Sequence, residues 1–287
     1  MTDAGPPATT GYAPVNGLQM YHEVHGPEPE PGSTPVLLLH GAYMSTGDLA
    51  PLVSVLAATR QVVVPDLQAH GRTADTDRPL GYEAMADDIG ALIEHLGFER
   101  TDIMGYSLGG GAALQTVIRH PGAVRKLVVV STPFKRDGWY PEVLAGMGQM
   151  GPEAAEPMKA TPMYALYSSV APRPDDWPVL LTKLGALLRK DYDWSGDVAA
   201  VGTPTLIVVG DADSVRTSHA VEFFELLGGG KADAGWDGSG MSNARLAILP
   251  ATTHHDIFSS PTLASAVAPF LDAPTPEAEP GAGGGTA

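Results

Sequence analysis

A serine between two glycines is the feature of this sequence that points most directly to chemistry. Gly105-Tyr106-Ser107-Leu108-Gly109 follows a short apolar run, Thr101 to Met104, and precedes an alanine-rich stretch typical of a helix. In a tight strand-to-helix turn, small residues let neighbouring backbone approach while the serine hydroxyl stands clear of the sheet. The first N–H groups of the helix then point at an oxyanion formed beside that hydroxyl. The pattern predicts that Ser107 is a nucleophile and that the Leu108 N–H is an oxyanion donor, with a glycine-rich turn lacking chemistry as the alternative.

A nucleophilic serine needs a base, and the sequence offers nine histidines. Parallel sheets bind ligands beyond the carboxyl ends of their strands, and His254 and His255 follow the last predicted strand, Arg245 to Leu249. We expect His254 to be the base. The alternative is that His254 and His255 are surface residues of the loop or bind a metal ion together with Asp256. Six of the other seven are expected to have surface, packing or structural roles: His22, His25, His40, His95, His120 and His219.

Two carboxylates are candidates for orienting the base. The predicted strand Thr205 to Val209 ends in Gly210-Asp211-Ala212-Asp213, so the chain order is serine, acid, histidine. Either Asp211 or Asp213 fits that order, and the other is then a turn residue.

A second oxyanion donor is expected after the predicted strand Val36 to Leu39. The strand ends in His40-Gly41-Ala42-Tyr43, a turn whose N–H groups can face Ser107 from the adjacent crossover. We predict the Ala42 N–H as that donor, with Tyr43 as the alternative.

Composition excludes several other classes of function. The 287 residues include 17 Lys and Arg against 33 Asp and Glu, a net charge of −16 that repels nucleic-acid phosphates and anionic lipid. There is no cysteine, which removes disulfides, thiolate catalysis and cysteine metal sites. Dinucleotide and P-loop motifs are missing, and we expect neither cofactor nor metal. Met1 to Pro14 does not read as a signal peptide, and the apolar runs are strand-sized, so a cytoplasmic protein without a membrane span is expected.

Apolar runs alternate with helix-sized segments along the chain. Continuous runs such as Val62 to Val64 are typical of strands buried on both faces, whereas Tyr82 to Leu96 carries apolar residues at helical spacing. Their repetition predicts an α/β protein with a mostly parallel sheet, and Asn16-Gly17 predicts an antiparallel hairpin before it. Further predicted elements are helices at Thr46 to Thr59 and Leu108 to His120, and a strand at Leu127 to Val130.

The alternation breaks between Ser131 and Gly202, where aromatic and methionine residues gather. We interpret this segment as a helical cap inserted into the sheet; a second apolar core is the alternative. The predicted organisation is a core in two parts, 1–131 and 203–272, interrupted by a cap at 132–202 and followed by a disordered tail at 273–287.

Taken in order, these motifs resemble the α/β-hydrolase superfamily: His40-Gly41, then Pro65-Asp66-Leu67-Gln68-Ala69-His70-Gly71-Arg72, then Gly105 to Gly109. The family's G-x-x-D and P-x-x-x-H spacings select Asp213 and His254, leaving Asp211 and His255 as second choices. The resemblance implies an α/β-hydrolase fold with a helical cap over Ser107. The predicted substrate-binding residues are Tyr43, Tyr106, Trp139, Tyr164 and Tyr167.

The resemblance implies a serine hydrolase of the carboxylesterase type. A serine at the nucleophile position disfavours the haloalkane dehalogenases and epoxide hydrolases of the superfamily, which use aspartate there. The expected substrate is a small, largely apolar carboxylic ester or a related acyl compound such as a lactone. Alternatives are an acyltransferase, perhydrolase or lyase that uses the same triad, and a non-catalytic small-molecule receptor.

Overall fold

The computed structural model describes residues 9–29 and 33–275 and contains one eight-stranded sheet in the order β1-β2-β4-β3-β5-β6-β7-β8. Strands β3 to β8 run parallel, whereas β2 is antiparallel to both β1 and β4. The fold is therefore the predicted α/β class with a mostly parallel sheet. The strands are β1 (Thr9–Val15), β2 (Leu18–His25), β3 (Val36–Leu39), β4 (Val62–Pro65), β5 (Thr101–Tyr106), β6 (Val124–Val130), β7 (Thr205–Ala212) and β8 (Ala244–Thr253).

Helices cover both faces of the sheet. Alternate residues of β3 show why its run is continuously apolar: Val36 and Leu38 belong to one buried cluster, and Leu37 and Leu39 to the other. The helices are α1 (Ala50–Leu56), α2 (Tyr82–His95), α3 (Leu108–Arg119), α4 (Pro141–Gly148), α5 (Ala155–Met158), α6 (Pro162–Val170), α7 (Trp177–Arg189), α8 (Ser195–Ala199), α9 (Thr217–Leu226) and α10 (Pro261–Asp272). Helices α1 and α10 supply apolar residues to the first cluster, and α2, α3 and α9 supply them to the second.

The predicted hairpin is confirmed, and its turn explains the Asn-Gly pair. Asn16 has φ +46° and Gly17 has φ +86°, the left-handed values that a two-residue hairpin turn needs at both positions. Val15 pairs with Leu18 across the turn, which fixes the register of β1 on β2.

Five helices, α4 to α8, lie in the insertion between β6 and β7. Trp177 of α7 is buried; its ring packs on Tyr164 and Tyr167 of α6, and its indole N–H donates to the Ala155 carbonyl of α5 at 3.0 Å. The Lys183 ammonium ties α7 to the sheet side of the molecule by donating to the Asp75 carboxylate at 2.6 Å. One apolar cluster contains both Trp177 and Leu37 of β3, so the insertion and the sheet share a core. The cap boundaries at 132 and 202 stay a prediction.

Some predicted elements differ in extent from the observed ones. The predicted helix Thr46 to Thr59 is a 3-10 turn, Thr46–Leu49, followed by the short helix α1. Strand β8 continues through Pro250 to Thr253, which an edge strand allows because the missing N–H of a proline can face away from the ladder. Residues 1–8 of the segment assessed for a signal peptide and residues 276–287 of the predicted tail lie outside the described residues. Among the described helices, none combines the length and apolarity needed to cross a bilayer.

Candidate active site

Ser107 stands at the sharp turn between β5 and α3. Its backbone has φ +53° and ψ −115°, a strained conformation for a residue with a side chain. A Cβ atom on Gly105 would lie 2.2 Å from the Gly109 carbonyl oxygen, and one on Gly109 would lie 2.4 Å from the Leu39 oxygen. Both glycines are therefore required by close backbone approach, as the sequence pattern predicts. The turn is also anchored by Thr132, whose hydroxyl donates to the Ser107 carbonyl at 2.8 Å.

Three side chains from three loops form a hydrogen-bonded chain at the carboxyl edge of the sheet. Ser107 Oγ lies 3.2 Å from His254 Nε2, and His254 Nδ1 lies 3.1 Å from Asp213 Oδ1. A carboxylate only accepts, so Nδ1 carries the proton and Nε2 is left as an acceptor for the Ser107 hydroxyl. The arrangement can deprotonate Ser107 as it attacks an electrophilic carbon.

The His254 ring is held in place by aromatic neighbours. The ring of Trp139 meets it edge-on with centroids 5.4 Å apart, and the Tyr106 ring lies at 5.3 Å. The Tyr106 hydroxyl donates to the His254 carbonyl at 2.6 Å. Burial raises the pKa of Tyr106, so its phenol stays protonated and remains a donor. The backbone and the ring of His254 are thus both restrained, which limits the entropy lost in aligning the base.

Asp213 is a buried carboxylate with four donors. The Val215 N–H and His254 donate to Oδ1, whereas the Gly210 N–H and the Ser131 hydroxyl donate to Oδ2. Burial works to raise the pKa of Asp213, but hydrogen bonds from His254, the charge of His254, and the bonds from Ser131 and Gly210 together hold it below its ordinary value. The carboxylate is therefore ionised at neutral pH. Sequence reasoning missed Ser131, because no local pattern indicates a contact with a residue 82 positions away.

Asp211 and His255, the second choices for acid and base, lie outside the hydrogen-bonded chain of Ser107, His254 and Asp213. Asp211 is exposed, and its carboxylate accepts the Thr252 N–H at 3.2 Å instead of contacting His254. His255 is exposed, with its ring centroid 5.5 Å from that of His254. Within the described part of the chain, no group of three or more potential metal ligands converges.

The predicted oxyanion donors lie on the same cavity wall as Ser107. Leu108 is the first residue of α3, so its N–H has no carbonyl one turn earlier to bind. Ala42 and Tyr43 also line the cavity, and Tyr43 adopts a left-handed φ of +66° that reshapes the turn after β3. A Cβ atom on Gly41 would lie 2.8 Å from the Tyr106 ring, so a glycine is needed for this turn to approach the serine.

His40 is a scaffold residue, as expected from the sequence. It is fully buried; Nδ1 donates to the Gly41 carbonyl at 2.8 Å, and Nε2 accepts the Leu67 N–H at 3.0 Å. Burial, with a smaller effect of the neighbouring His70, lowers the pKa of His40 to about 3, so the ring is neutral. His40 thereby joins the turn after β3 to the segment after β4.

A cavity of about 790 Å³ opens above Ser107 and His254. Three predicted substrate-binding residues, Tyr43, Tyr106 and Trp139, line it. Tyr164 and Tyr167 are not among the lining residues, because their rings pack on Trp177 at 5.4 and 5.1 Å inside the inserted helices. The insertion supplies further lining residues, Val143, Met147, Met150, Met163, Leu166 and Leu188. Sequence reasoning did not assign Met44 and Asp48, in the loop after β3, or Tyr82, at the start of α2.

Comparisons with known proteins agree with this architecture. The family model described as the α/β-hydrolase fold matches residues 34–169. A protein named as a carbamate hydrolase, RutD of Caulobacter sp. strain K31, is 32% identical over 251 residues, which cover 79% of this chain and 91% of that protein. MGS-M2, an α/β-hydrolase enzyme from a Medee basin deep-sea metagenome library, superposes with a TM-score of 0.72 at 19% identity, over 94% of this chain and 100% of that one. Carboxylesterase CesB of Bacillus subtilis superposes with a TM-score of 0.68 at 16% identity, over 94% and 93% of the two chains. The family resemblance predicted from the motifs is confirmed, and this chain belongs to the α/β-hydrolase family.

Proposed function

We propose that this protein is a serine hydrolase that cleaves carboxylic esters, including lactones, of largely apolar substrates. The observation that carries the proposal is the hydrogen-bonded chain Ser107–His254–Asp213 opening into a mainly apolar cavity of about 790 Å³. A concave apolar site with a few convergent polar groups is the usual form of a small-molecule site.

In the first half of the reaction, Ser107 Oγ forms a bond to the ester carbonyl carbon while its proton passes to His254 Nε2. The negative charge on the carbonyl oxygen is stabilised by the N–H groups of Leu108 and Ala42. The bond from carbon to the alcohol oxygen then breaks, and His254 returns the proton to that leaving oxygen. Asp213 stays ionised throughout and stabilises the imidazolium.

In the second half, a water molecule attacks the acyl-enzyme. His254 takes a proton from the water as its oxygen bonds to the acyl carbon, and the bond from that carbon to Ser107 Oγ breaks as the proton is delivered to Oγ. The products are a carboxylic acid and the regenerated serine. With a lactone, acid and alcohol leave as one hydroxy acid.

The likeness to RutD makes hydrolysis of a carbamate the second candidate, because a carbamoyl carbon can be attacked in the same way. The cavity of about 790 Å³ lies in the range of roughly 300–1,000 Å³ that is usual for drug-sized ligands, so a carbamate ion would fill only a small part of it. We therefore rank esters with an extended apolar group first. Acyl transfer, perhydrolysis, lyase chemistry and binding without turnover remain alternatives on the same fold.

The test is a series of p-nitrophenyl esters from acetate to octanoate. Wild type is compared with Ser107→Ala and with Ser265→Ala, a matched control on an exposed position of α10. We expect Ser107→Ala to lose about 10⁴-fold or more in kcat/KM, Ser265→Ala to match wild type, and mass spectrometry to find the acyl group on Ser107. Turnover preserved in Ser107→Ala would refute the proposal. Product partitioning with added alcohol or hydrogen peroxide distinguishes hydrolysis from acyl transfer or perhydrolysis, and a p-nitrophenyl carbamate tests the second candidate.

A further inference from the structure

The charges that line the cavity are unevenly distributed. Asp48, in the 3-10 turn after β3, contributes a carboxylate to the wall, whereas no lysine or arginine is found among the described lining residues. The Ser45 N–H and hydroxyl donate to Asp48 Oδ2 at 2.8 and 3.3 Å. Neither donor is charged, and no ion pair among residues 9–29 and 33–275 includes Asp48. The negative charge is therefore not neutralised by a neighbouring cation.

Aromatic rings reinforce the same electrostatic preference. Five aromatic side chains line the cavity: Tyr43, Tyr82, Tyr106, Trp139 and Phe258. The face of an aromatic ring is negative and attracts cations, most strongly where water is excluded. Four methionines also line the cavity, Met44, Met147, Met150 and Met163, and their polarizable side chains adapt to bulky groups. A quaternary ammonium group meets ring faces and a carboxylate in such a cavity, whereas a substrate carboxylate finds no lysine or arginine among the described lining residues to pair with.

We propose that Asp48 sets the charge preference of the site, so that it takes esters with neutral or quaternary-ammonium substituents and rejects esters that carry a carboxylate. This inference rests on the proposed esterase function. An effective dielectric constant of about 20 and a charge separation taken as roughly 7–10 Å correspond to a preference of about 15- to 55-fold for each unit of charge. The preference should depend on Asp48 rather than on the net charge of −16 spread over the molecule.

The experiment uses two pairs of esters of closely similar shape. Choline butyrate is compared with 3,3-dimethylbutyl butyrate, its uncharged carbon isostere, and mono-p-nitrophenyl glutarate is compared with p-nitrophenyl pentanoate. The first pair places a cation on the alcohol side, and the second places an anion on the acyl side. Burial raises the pKa of Asp48 against the opposing bonds from Ser45, so all four kcat/KM values are measured at pH 8, which favours the ionised carboxylate that the proposal requires.

The variant is Asp48→Asn, whose side-chain oxygen can still accept the Ser45 N–H and preserve the turn. We expect the cation-to-neutral ratio to fall and the anion-to-neutral ratio to rise, by about 10-fold or more in at least one pair. Asp197→Asn removes the same charge from an exposed position of α8 and should leave both ratios unchanged. Asp48→Ser provides a second neutral replacement if the first variant does not fold.

The outcomes separate this inference from the proposed function. Neutral esters that are hydrolysed in a Ser107-dependent manner, with the same two ratios in wild type and Asp48→Asn, would refute the role of Asp48 alone. Equal shifts in Asp48→Asn and Asp197→Asn would also refute it, because a general field would then explain the preference. No turnover of the neutral esters by wild type would instead count against the esterase proposal.

Discussion

Asparagine at position 213 tests how the orienting carboxylate acts in the proposed triad. Each oxygen of Asp213 accepts two hydrogen bonds, so the amide can be placed in two ways. An NH₂ group in place of Oδ1 would face the Val215 N–H and the protonated Nδ1 of His254. An NH₂ group in place of Oδ2 would face the Gly210 N–H, but the Ser131 hydroxyl can rotate and become its acceptor. With His254 protonated at Nδ1, the second orientation loses one hydrogen bond and the first loses two; the first loses only one if the proton moves to Nε2. Because the second orientation needs no change of the His254 tautomer, we expect Asp213→Asn to keep the productive one.

The expected loss of activity then comes from the missing charge. An imidazolium and a carboxylate about 4 Å apart at an effective dielectric constant of about 20 interact by about 4 kcal/mol. At about 1.36 kcal/mol per tenfold change, this corresponds to a fall of about 10³ in kcat/KM for Asp213→Asn. The fall should be smaller than the roughly 10⁴ typical where the amide forces the wrong tautomer.

Ester kinetics on four variants check this reasoning: Asp213→Asn, Ser131→Ala, the two combined, and Asp211→Asn. Adding Ser131→Ala to Asp213→Asn removes the hydroxyl that favours the productive orientation, so the double variant should lose more activity than the two single losses multiplied. Asp211→Asn is the matched control, because Asp211 lies two residues away and contacts Thr252 instead. Strictly multiplicative effects, or a loss in Asp211→Asn as large as that in Asp213→Asn, would refute the assignment of Asp213 or of its orientation.

Two further predictions concern the scaffold. In Gly109→Ala the new Cβ would lie 2.4 and 2.5 Å from the carbonyl oxygens of Leu39 and His40. We therefore expect urea unfolding to show a loss of about 1–3 kcal/mol in the free energy of unfolding, together with a large loss of activity. The control is Gly122→Ala, whose new Cβ would have nothing within 4 Å and whose free energy of unfolding should be within about 0.5 kcal/mol of that of wild type. Because burial lowers the pKa of His40 to about 3 from its ordinary 6.5, its neutral form stabilises the fold fully above pH 6.5, and that stability is lost as pH falls from 6.5 towards 3. Between pH 7 and pH 5 wild type should therefore lose about 2 kcal/mol more of its unfolding free energy than His40→Gln, and parallel pH dependences of the two proteins would contradict the neutral buried ring.

The elements that carry the site could be predicted from local sequence. The run of valines and leucines in β3 is buried on both faces, and the glycines around Ser107 are required by backbone contacts within a few residues. Such features follow from side-chain size, periodicity and turn chemistry, which act between neighbours in the chain. The start of α1 was less predictable, because Pro51 and the Ser45–Asp48 capping pair divide the segment into two short helices.

The choice between Asp211 and Asp213 shows where residue spacing alone becomes ambiguous. The two side chains are two positions apart, so a regular strand would direct both to the same side. The register of β7 on β8 shifts between Gly210 and Ala212, and this irregularity sends Asp213 towards His254 while Asp211 remains exposed beside Thr252. The family spacing selected Asp213, but the physical reason for the separation lies in the pairing of two strands.

The sequence by itself determined the alternation of strands and helices that makes a mostly parallel sheet, the strained turn at Ser107 and the family to which the chain belongs, because each of these depends on patterns within short stretches of chain. Only the tertiary structure decided which side chains face the cavity: Tyr82 and Asp48 do, whereas Tyr164 and Tyr167 pack on Trp177. The physical reason is that cavity walls are made by contacts between elements far apart in sequence. The rotation of each helix about its axis is set by the packing of the whole core. An aromatic side chain suits a buried core and a cavity wall equally well, so residue type alone does not distinguish the two positions.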